Sequence, residues 1–450
     1  MEFVLERDAS ALFFEQRTGK TYITLAAIER LPRKNMAIVL VCLLNNKDST
    51  WADKIAQLLP WMNVASTWEE FKKLPFPKTF LLHFESLGKV AAKIKRVKWM
   101  TFAVIDEAHR LKARGTAQSR AAAKLSGIPK RLILTGTPIE KQPKDLWAQF
   151  RFLLPDLFGS WKHFEDRYMD FERIDMQGIK PGSARWQIKI MKQGMLRSRA
   201  PFREDMLPEF TRKIKPYALR LTKLDTGILE PEVVRVPVKI TGRQRRLYDT
   251  MKKHSVIHLG GGSRAMAPLT VTNIIKRRQI VSGFVYDDDG ECQSTGSAKL
   301  KHLLKLFADL PKPIVVFTCF KPELTFISDA LKAEGYAIKT VSGSTPKKQR
   351  PGIWRNFQRA RYDGLVVQTK VGGVGVDLWK ANSAIVHSMG YSSIDFDQMK
   401  SRLDAKDKRV AAKIYVLCGL ATIDDDLFSM VVEKGMTSRE VLQTLKKGAR

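Results

Sequence analysis

The chain's 450 residues suffice for two to four compact units, each with its own hydrophobic core. Lysine and arginine number 78 against 46 aspartate and glutamate residues, and the formal net charge of +32 favours a polyanionic partner, with nucleic acid first. The longest apolar run, "MAIVLVCLL", is too short to span a bilayer, and the four cysteines form no C-x-x-C pair. We therefore expect a cytoplasmic protein that contains neither structural zinc nor disulfides.

The first informative segment is "FFEQRTGKT" at residues 13 to 21. It ends like the phosphate-binding pattern G-x-x-x-x-G-K-[ST], in which backbone N–H groups and a lysine bind phosphates and a hydroxyl helps to hold Mg²⁺. Gly19, Lys20 and Thr21 fit that pattern, but Phe14 occupies the position of its first glycine. Taken alone, the segment leaves a nucleotide site and an ordinary surface loop equally open.

Two regions of the chain show the sequence pattern of buried parallel strands. Between residues 36 and 136 the apolar runs are "MAIVLVC", "TFLLHF", "TFAVID" and "RLILTG". Between 312 and 418 they are "KPIVVFTCF", "YAIKTVSG", "GLVVQT", "SAIVHSM" and "AKIYVLC", with a helix-like segment after the first. Short apolar runs separated by helical stretches predict an α/β fold with two parallel-sheet lobes.

The segment between the two regions, residues 150 to 300, is aromatic and strongly basic. Its "GRQRRLYDTMKKH" and "NIIKRRQIV" are typical of helices, so we expect mostly helical inserted material there. Its "YDDDGE" lacks the spacing and the final glutamate of a calcium-binding loop, and a solvated turn is the better interpretation.

Paired carboxylates follow the run "TFAVI", in the tetrapeptide "DEAH" at 106 to 109. The carboxyl ends of parallel strands are where such sheets bind ligands, and Mg²⁺-phosphate chemistry requires one acid near the metal and one near water. The same tetrapeptide also occurs as an acidic turn that caps a helix. The "GKT" loop before it and "LTGTP" at 134 to 138 after it favour the nucleotide interpretation.

Taken together, these motifs resemble the Swi/Snf-like DNA translocases of helicase superfamily two, in the order of that family. The segments that carry the resemblance span most of the chain: "DEAHRLK" at 106, "LILTGTPIEKQPKDLWAQFRFLLPDLFG" at 132, "YALRLTK" at 217, "SAKLKHLLKL" at 297, "IVVFTCF" at 314, "TVSGST" at 340 and "GGVGVDLWKANSAIV" at 372. The loop with Arg17 resembles compact phage members, which implies a bacterial or phage-infected cell and its nucleoid.

The resemblance implies two RecA-like lobes with helical insertions between and within them. We expect the first lobe at 1–150, its helical insertion at 151–235, a basic helical insertion of the second lobe at 236–295, and the second lobe at 296–450. It also implies that the phosphate loop is real, because this superfamily does not require the first glycine.

ATP and Mg²⁺ are the cofactors that the resemblance implies. Thr21 and Asp106 would hold Mg²⁺, and Glu107 would act as the base or orient the attacking water. The nucleotide-binding set is Arg17, Thr18, Gly19, Lys20, Thr21, Gly375 and Asp377, and the catalytic set is Lys20, Asp106, Glu107, Gln398 and Arg402. Thr135 and Thr137 would link the nucleotide state to lobe closure. Asp377 replaces the asparagine of most relatives and adds a negative charge near phosphates.

Two departures from the family pattern affect the expected activity. Relatives read Q-x-x-x-R-x-x-R where this chain has Gln398, Arg402 and then Ala405, so a second converging arginine is missing, with Arg409 one turn beyond. Removing an arginine finger lowers the rate on the order of 10³- to 10⁵-fold. The nineteen residues before Lys20 also leave no room for the adenine-reading glutamine motif, so the base pocket is unassigned.

Double-stranded DNA is the partner that the resemblance implies, held across both lobes with little sequence preference. The residues expected at its backbone are Ser86, Ser342, Gly343, Thr369 and Lys370, because small hydroxyls and backbone amides bind phosphate without reading bases. The basic clusters at 93–99, 242–246 and 276–278 would add salt-sensitive contacts, although each alone is also typical of a solvated face. Trp51 resembles a family tryptophan, with an apolar core anchor as the plainer interpretation.

Three functions stay open at this point. The first is an ATP-driven duplex-DNA translocase that moves by lobe closure without obligatory strand separation. The second, motivated by Ala405, is an ATP-gated DNA clamp with little turnover. The third is a helicase that remodels forks or branches.

Overall fold

The computed structural model describes residues 1–450 except 112–114, 140–141, 171–186, 188, 190, 192–200, 241, 261–262, 347, 370–377, 405–407, 409 and 434–450, and except the side chains of 45, 48, 49 and 260. The chain forms two compact units, Met1–Thr222 and Lys223–Gly435. The bounds expected for the two lobes and their insertions stay predictions.

A seven-stranded parallel sheet forms the centre of the first unit. Its strands lie side by side in the order β3-β4-β2-β5-β6-β1-β7, and every pairing is parallel. Parallel strands need crossover connections, which the intervening helices supply. The strands are β1 (Ala9–Phe14), β2 (Ala37–Cys42), β3 (Asn63–Ala65), β4 (Lys78–His83), β5 (Phe102–Asp106), β6 (Lys130–Leu134) and β7 (Ala218–Leu221).

Both faces of this sheet are covered. Along β1, Ala11 and Phe13 pack in one core while Leu12 and Phe14 pack in the other, as the period of two along a strand requires. Burial on both faces explains why the strands read as continuous apolar runs. The helices of this unit are Glu2–Leu5, Lys20–Arg30, Leu44–Asn46, Asp53–Leu58, Trp68–Lys73, Phe84–Arg96, Ala117–Ala123, Leu146–Leu153, Trp161–Tyr168 and Leu207–Ile214, with a π-helical turn at Lys47–Ala52.

The second unit is built on a six-stranded parallel sheet with two small antiparallel hairpins. Its strands are β8 (Glu232–Val238), β9 (Val256–Gly260), β10 (Ser263–Met266), β11 (Phe284–Tyr286), β12 (Cys292–Ser294), β13 (Ile314–Thr318), β14 (Ile338–Val341), β15 (Gly364–Gln368), β16 (Ser383–Val386) and β17 (Lys413–Gly419). The parallel sheet has the order β14-β15-β13-β16-β17-β8, and the hairpins are β9–β10 and β11–β12.

Helices surround this second sheet and build most of the inserted segment. They are Gly242–His254, Thr270–Ser282, Ala298–Asp309, Lys321–Ala333, Arg350–Gln358, Ser393–Ser401 and Ile423–Phe428. Segment 150–300 thus contains the two basic helices that the sequence predicted, but also strands β7 to β12, which it did not. The "YDDDGE" segment is the turn of hairpin β11–β12. Over the described part of the chain, no helix combines the length and apolar character needed to cross a membrane.

Candidate functional site

The phosphate loop connects β1 to the helix Lys20–Arg30 in the first unit. Phe14 is the last residue of β1, and the left-handed backbone that the loop needs occurs instead at Arg17 (φ 67°) and Gly19 (φ 92°). The missing first glycine is thereby explained, because its position lies in a strand. A Cβ at Gly19 would meet no atom within 4 Å, and no side chain hydrogen-bonds there as an N-cap. There is therefore room beside the start of this helix, where the first N–H groups of a helix lack intrahelical acceptors and are available to an anion.

Internal hydrogen bonds hold the loop in shape. The Lys20 ammonium folds back and donates to the carbonyls of Phe14 (2.7 Å) and Glu15 (3.0 Å), while the Thr18 hydroxyl donates to Glu15 (2.7 Å). From the neighbouring edge strand β7, Arg220 reaches the Glu15 carboxylate at 3.3 Å. An arriving phosphate would compete with the two carbonyls for the Lys20 ammonium, which is the group that reaches terminal phosphates in such loops.

Asp106 is the last residue of β5 and is 7% exposed. Its Oδ2 accepts a hydrogen bond from the Trp51 indole N–H at 2.9 Å, and its Oδ1 accepts from the Glu107 backbone N–H at 3.0 Å. Burial, followed by the neighbouring Glu107 charge, raises the pKa of Asp106 to about 6, against the lowering effects of Trp51 and Lys20. Trp51 is fully buried, as an apolar anchor would be, but it also has this polar contact.

Glu107 and the end of β6 are joined through His109. Glu107 has a left-handed backbone (φ 54°), and its carboxylate lies 3.3 Å from Nδ1 of His109. The same Nδ1 lies 3.2 Å from the Thr135 hydroxyl, which in turn accepts from the Thr137 N–H at 3.2 Å. This chain of contacts connects the Glu107 carboxylate to the end of β6.

Gly136 brings the segment after β6 against the phosphate loop. A Cβ on Gly136 would lie 3.2 Å from the Phe14 carbonyl and 3.3 Å from the Gln16 N–H nitrogen. The Thr137 hydroxyl beside it is buried without a hydrogen-bond partner among the described residues. The ends of β1, β5 and β6 therefore form one connected surface at the carboxyl edge of the sheet.

The residues at this edge fit a magnesium ion chemically. Asp106 offers carboxylate oxygens and Thr21, in the first turn of the helix Lys20–Arg30, offers a hydroxyl, and both are the hard oxygen ligands that Mg²⁺ prefers. Among the residues that the structure describes, no cluster of three or more His, Cys, Asp or Glu side chains could form an all-protein metal site. An ion held by one or two protein oxygens together with nucleotide phosphates agrees with both observations.

The predicted nucleic-acid residues lie at strand ends. In the first unit the Ser86 hydroxyl donates to the His83 carbonyl at 2.9 Å, just after β4. In the second unit Ser342 and Gly343 directly follow β14, and Thr369 follows β15 and donates to the Thr318 carbonyl at 3.0 Å. Lys370 lies outside the described residues, as do Gly375 and Asp377.

The predicted catalytic residues of the second unit lie on one helix and its end. Gln398 is in the helix Ser393–Ser401 and is 7% exposed, and the carbonyl of Arg402 accepts from the Leu378 N–H at 3.0 Å. Two residues further, the buried Asp404 carboxylate lies 2.5 Å from the Lys223 ammonium. Ala405 and Arg409 are outside the described residues.

Comparison with known families assigns the chain. The model of the SNF2-related domain matches residues 11–282, more than half of the chain, and the helicase conserved C-terminal domain matches 298–404. The chain belongs to the SNF2-related family. Family membership and the two parallel sheets with their helices confirm the predicted Swi/Snf-like resemblance and the RecA-like fold class.

Individual relatives of this SNF2-family chain are distant and longer. SWI/SNF chromatin-remodeling complex subunit snf22 of Schizosaccharomyces pombe is 25% identical over 96% of this chain and 26% of its own length. SNF2 domain-containing protein ENL1 of Oryza sativa subsp. japonica is 24% identical over 75% of this chain and 38% of its own. DNA repair and recombination protein RDH54 of Saccharomyces cerevisiae is 25% identical over 91% and 44%. The chain thus spans less than half the length of these relatives.

Among solved structures, the Sulfolobus solfataricus SWI2/SNF2 ATPase core in complex with dsDNA aligns with 99% of this chain and 91% of its own, at 20% identity and a TM-score of 0.41. A score this low does not allow its geometry to be transferred to this SNF2-family chain.

Three features of this SNF2-family chain were not predicted from the sequence. They are the Trp51 hydrogen bond to Asp106, the Arg220 contact with the phosphate loop, and the hydrogen-bonded, buried Glu323 carboxylate of the second unit. The Glu323 carboxylate accepts from Ser388 (2.7 Å), Phe320 N–H (3.0 Å) and Cys319 N–H (3.1 Å), and lies 3.1 Å from His387. A sequence signal was available for the Arg220 contact. Arg220 lies in the family segment "YALRLTK", and it could have been assigned to the phosphate loop.

Proposed function

We propose that this chain is a DNA-dependent ATPase of the Swi/Snf type that moves along double-stranded DNA by ATP-driven lobe closure, without obligatory strand separation. The observation that carries the proposal is the meeting of three elements at one sheet edge: the phosphate loop after β1, the Asp106–Glu107 pair after β5, and the Thr135–Thr137 segment after β6. Phosphoryl-transfer sites combine an anion-binding helix end, one acid near the metal and one acid near the attacking water.

In the proposed reaction the phosphate loop binds ATP. The N–H groups at the start of the helix Lys20–Arg30 and the Lys20 ammonium face the β- and γ-phosphates, where Arg17, Thr18 and Gly19 shape the turn. Asp106 and Thr21 are the residues that would hold Mg²⁺, which supplies positive charge to the phosphate oxygens. Lys20 adds a further fixed charge at the same place.

Glu107 would orient the water that attacks the γ-phosphate. Its contact with His109 at 3.3 Å limits the directions that its carboxylate takes, and positioning of this kind is the main protein contribution to phosphoryl transfer. Contact of His109 with Thr135 carries the same restraint to the end of β6. Gln398 and Arg402 are the proposed partners from the second unit.

Duplex DNA is the proposed polyanion because the net charge is +32 and the predicted contact residues are small hydroxyls and backbone amides at strand ends. Ser86 would face it in the first unit, and Ser342, Gly343 and Thr369 in the second, with Lys370 added from the sequence. Such groups contact phosphates and sugars without reading base edges, so we expect little sequence preference.

A clamp that binds DNA and closes on ATP with little turnover is the second candidate, because Ala405 stands where relatives have an arginine. The loss of an arginine finger lowers turnover on the order of 10³-fold or more while leaving nucleotide binding in place.

The test measures ATP hydrolysis with and without blunt duplex DNA, at low and moderate salt. The proteins are the given chain, Ala405→Arg, Lys20→Ala and the exposed-lysine control Lys34→Ala. Displacement of a third strand from a triplex, without separation of the underlying duplex, reads out movement along DNA.

DNA-stimulated turnover and triplex displacement by the given chain, lost in Lys20→Ala and kept in Lys34→Ala, support the translocase. Turnover only in Ala405→Arg supports a motor that Ala405 has silenced, with the given chain acting as a clamp. Absence of both duplex binding and ATP binding in the given chain contradicts the proposal.

A further inference from the structure

The turn after β14 is held from its carbonyl side by a single guanidinium. Arg350 donates to the carbonyl oxygens of Thr345 (3.0 Å), Gly343 (3.1 Å) and Ser342 (3.2 Å). It is the first residue of the helix Arg350–Gln358, and it is half-buried. Only the planar fork of an arginine presents several N–H groups in a fixed fan, so the turn's shape depends on this side chain.

The turn is also closed from within. The Thr345 N–H donates to the Ser342 carbonyl at 3.1 Å, and the Thr345 hydroxyl accepts from the Ser342 N–H at 3.0 Å. On the far side Gln368 bridges the turn to Cys319, which directly follows β13. Its Oε1 accepts from the Gly343 N–H at 3.3 Å and its Nε2 donates to the Cys319 carbonyl at 3.4 Å.

Arg350 occupies the carbonyls of the turn, whereas the serine side chains of the turn lie at a different surface, a cleft beside the helix Lys321–Ala333. The hydroxyls of Ser342 and Ser344 lie 2.7 Å apart, and Gly343 and Ser344 are exposed. Both serines line a cleft of about 360 Å³ against the helix Lys321–Ala333, which contributes Lys321, Lys332 and the carboxylate of Asp329 to its walls. Hydroxyls and ammonium groups around one cleft are the chemistry that binds a phosphate of a nucleic-acid backbone.

We propose that Arg350 is a positioning residue that shapes the turn 342–345 for a backbone phosphate of DNA and does not itself contact that phosphate. The inference rests on the proposed DNA binding and adds to it the residue that sets the geometry of one contact. All hydrogen bonds of the Arg350 guanidinium within the described residues go to carbonyls of the turn.

Salt dependence distinguishes a positioning arginine from a phosphate-binding one. Each phosphate neutralised by the protein contributes about 0.9 to the slope of log affinity against log salt concentration. A lysine preserves a direct charge contact but cannot span three carbonyls, so Arg350→Lys and Arg350→Gln separate the two roles.

The experiment measures fluorescence anisotropy of a labelled blunt duplex of mixed sequence at four salt concentrations, without nucleotide. We expect both Arg350→Lys and Arg350→Gln to weaken binding by about tenfold, as lost hydrogen bonds do, with the slope of the unaltered chain. Lys321→Gln is expected to lower the slope by about 0.9. Arg355→Lys, at an exposed arginine of the same helix, is the matched control and should bind as the unaltered chain does.

Wild-type affinity of Arg350→Lys, or a slope reduced in Arg350→Gln, overturns the inference. If the Arg350 variants do not fold, Gln368→Ala loosens the same turn from its other side and must weaken binding with an unchanged slope. Gln293→Ala, which removes an amide hydrogen bond to Asp287 in hairpin β11–β12, is its control. An unaltered chain that binds no duplex contradicts the proposed function instead, so the two failures are distinguishable.

Discussion

The indole N–H of Trp51 donates to Oδ2 of Asp106 across 2.9 Å, and both side chains are buried. Trp51 lies in the π-helical turn Lys47–Ala52 that follows β2, whereas Asp106 ends β5, the neighbouring strand. Trp51, which the sequence suggests is an apolar core anchor, therefore also orients Asp106, the acid proposed to hold Mg²⁺. Supporting hydrogen bonds of this kind fix the ligand's direction and its affinity for the ion.

Trp51→Phe should weaken the response to Mg²⁺ while keeping the fold. Phenylalanine retains most of the apolar contact but leaves Oδ2 of Asp106 without its indole donor. We expect the half-saturating Mg²⁺ concentration for ATP hydrolysis to rise about tenfold, the lower end of the effect of lost supporting contacts. Mn²⁺ binding followed by electron paramagnetic resonance gives a readout besides turnover.

Trp61→Phe is the control for that variant. Trp61 donates to the Glu29 carboxylate at the same 2.9 Å, but on the exposed surface. An equal change in both variants would contradict a specific role of Trp51.

Asp106→Asn should stabilise the metal-free protein at neutral pH. The folded-state pKa of about 6 lies above the ordinary 3.8, so the ionised carboxylate opposes folding, fully above pH 6 and not at all well below 3.8. An asparagine carries no charge and removes that penalty of about 3 kcal/mol, but its amide nitrogen cannot accept a hydrogen bond from Trp51 or Glu107, so we expect a net gain of about 1 to 2 kcal/mol in the free energy of unfolding. The measurement is urea unfolding in EDTA at pH 7.5 and at pH 3.5, where the stabilisation should be lost.

Asp156→Asn, at an exposed carboxylate of the first unit, should change the free energy of unfolding by no more than about 0.5 kcal/mol at either pH. Destabilisation of Asp106→Asn at pH 7.5 would refute the expected sign.

Gly136→Ala should impair nucleotide binding through the phosphate loop. Its new Cβ would come within 3.2 Å of the Phe14 carbonyl and 3.3 Å of the Gln16 nitrogen, and because both are backbone atoms the loop must shift. We expect about a five- to tenfold weaker affinity for a fluorescent ATP analogue, a loss of about 1 to 1.4 kcal/mol. Gly127→Ala, where a Cβ meets nothing within 4 Å, should bind as before.

Replacing only one partner of the Lys223–Asp404 ion pair should lower the free energy of unfolding strongly. Their side chains are 5% and 0% exposed and 2.5 Å apart, so removing either one takes away a close opposite charge from a buried charged group. Asp404→Leu alone and Lys223→Met alone are each expected to lower the free energy of unfolding by about 3 kcal/mol, and the double replacement is expected to recover most of that loss. The measurement is a double-mutant cycle by chemical denaturation.

The exposed pair Lys413–Glu232, at 3.6 Å and with both side chains more than half exposed, supplies the comparison. Glu232→Gln should cost less than about 1 kcal/mol because solvent screens the pair. A similar loss in the free energy of unfolding at both pairs would show that burial does not determine the cost of removing one partner of an ion pair.

Most strands with both sheet faces buried were predictable, although β1, which is buried along its whole length, was not predicted. The runs that became β2, β4, β5 and β6 are largely apolar, and so are those that became β13, β15, β16 and β17, whereas the edge strand β14, which was also predicted, is buried only at its two ends. The edge strands β7 and β8 are half-exposed and lack such runs, so their sequences resemble connecting segments. The hairpin in the glycine-rich "HLGGGSRAMAP" segment was missed because short strands outside a sheet core leave no periodic signal.

The sequence by itself determined the family, the α/β class and the residues of the phosphate loop. Motifs and apolar runs involve residues close together in the chain, so they can be recognised from the order of residues alone. Only the tertiary structure decided the donor to Asp106, which is 55 residues away, and the arginine that holds the turn 342–345. Hydrogen-bond partners depend on which strand ends meet and on which side chains burial leaves within about 3 Å of one another. That information arises when the sheet forms, since strand order places segments side by side that are distant along the chain.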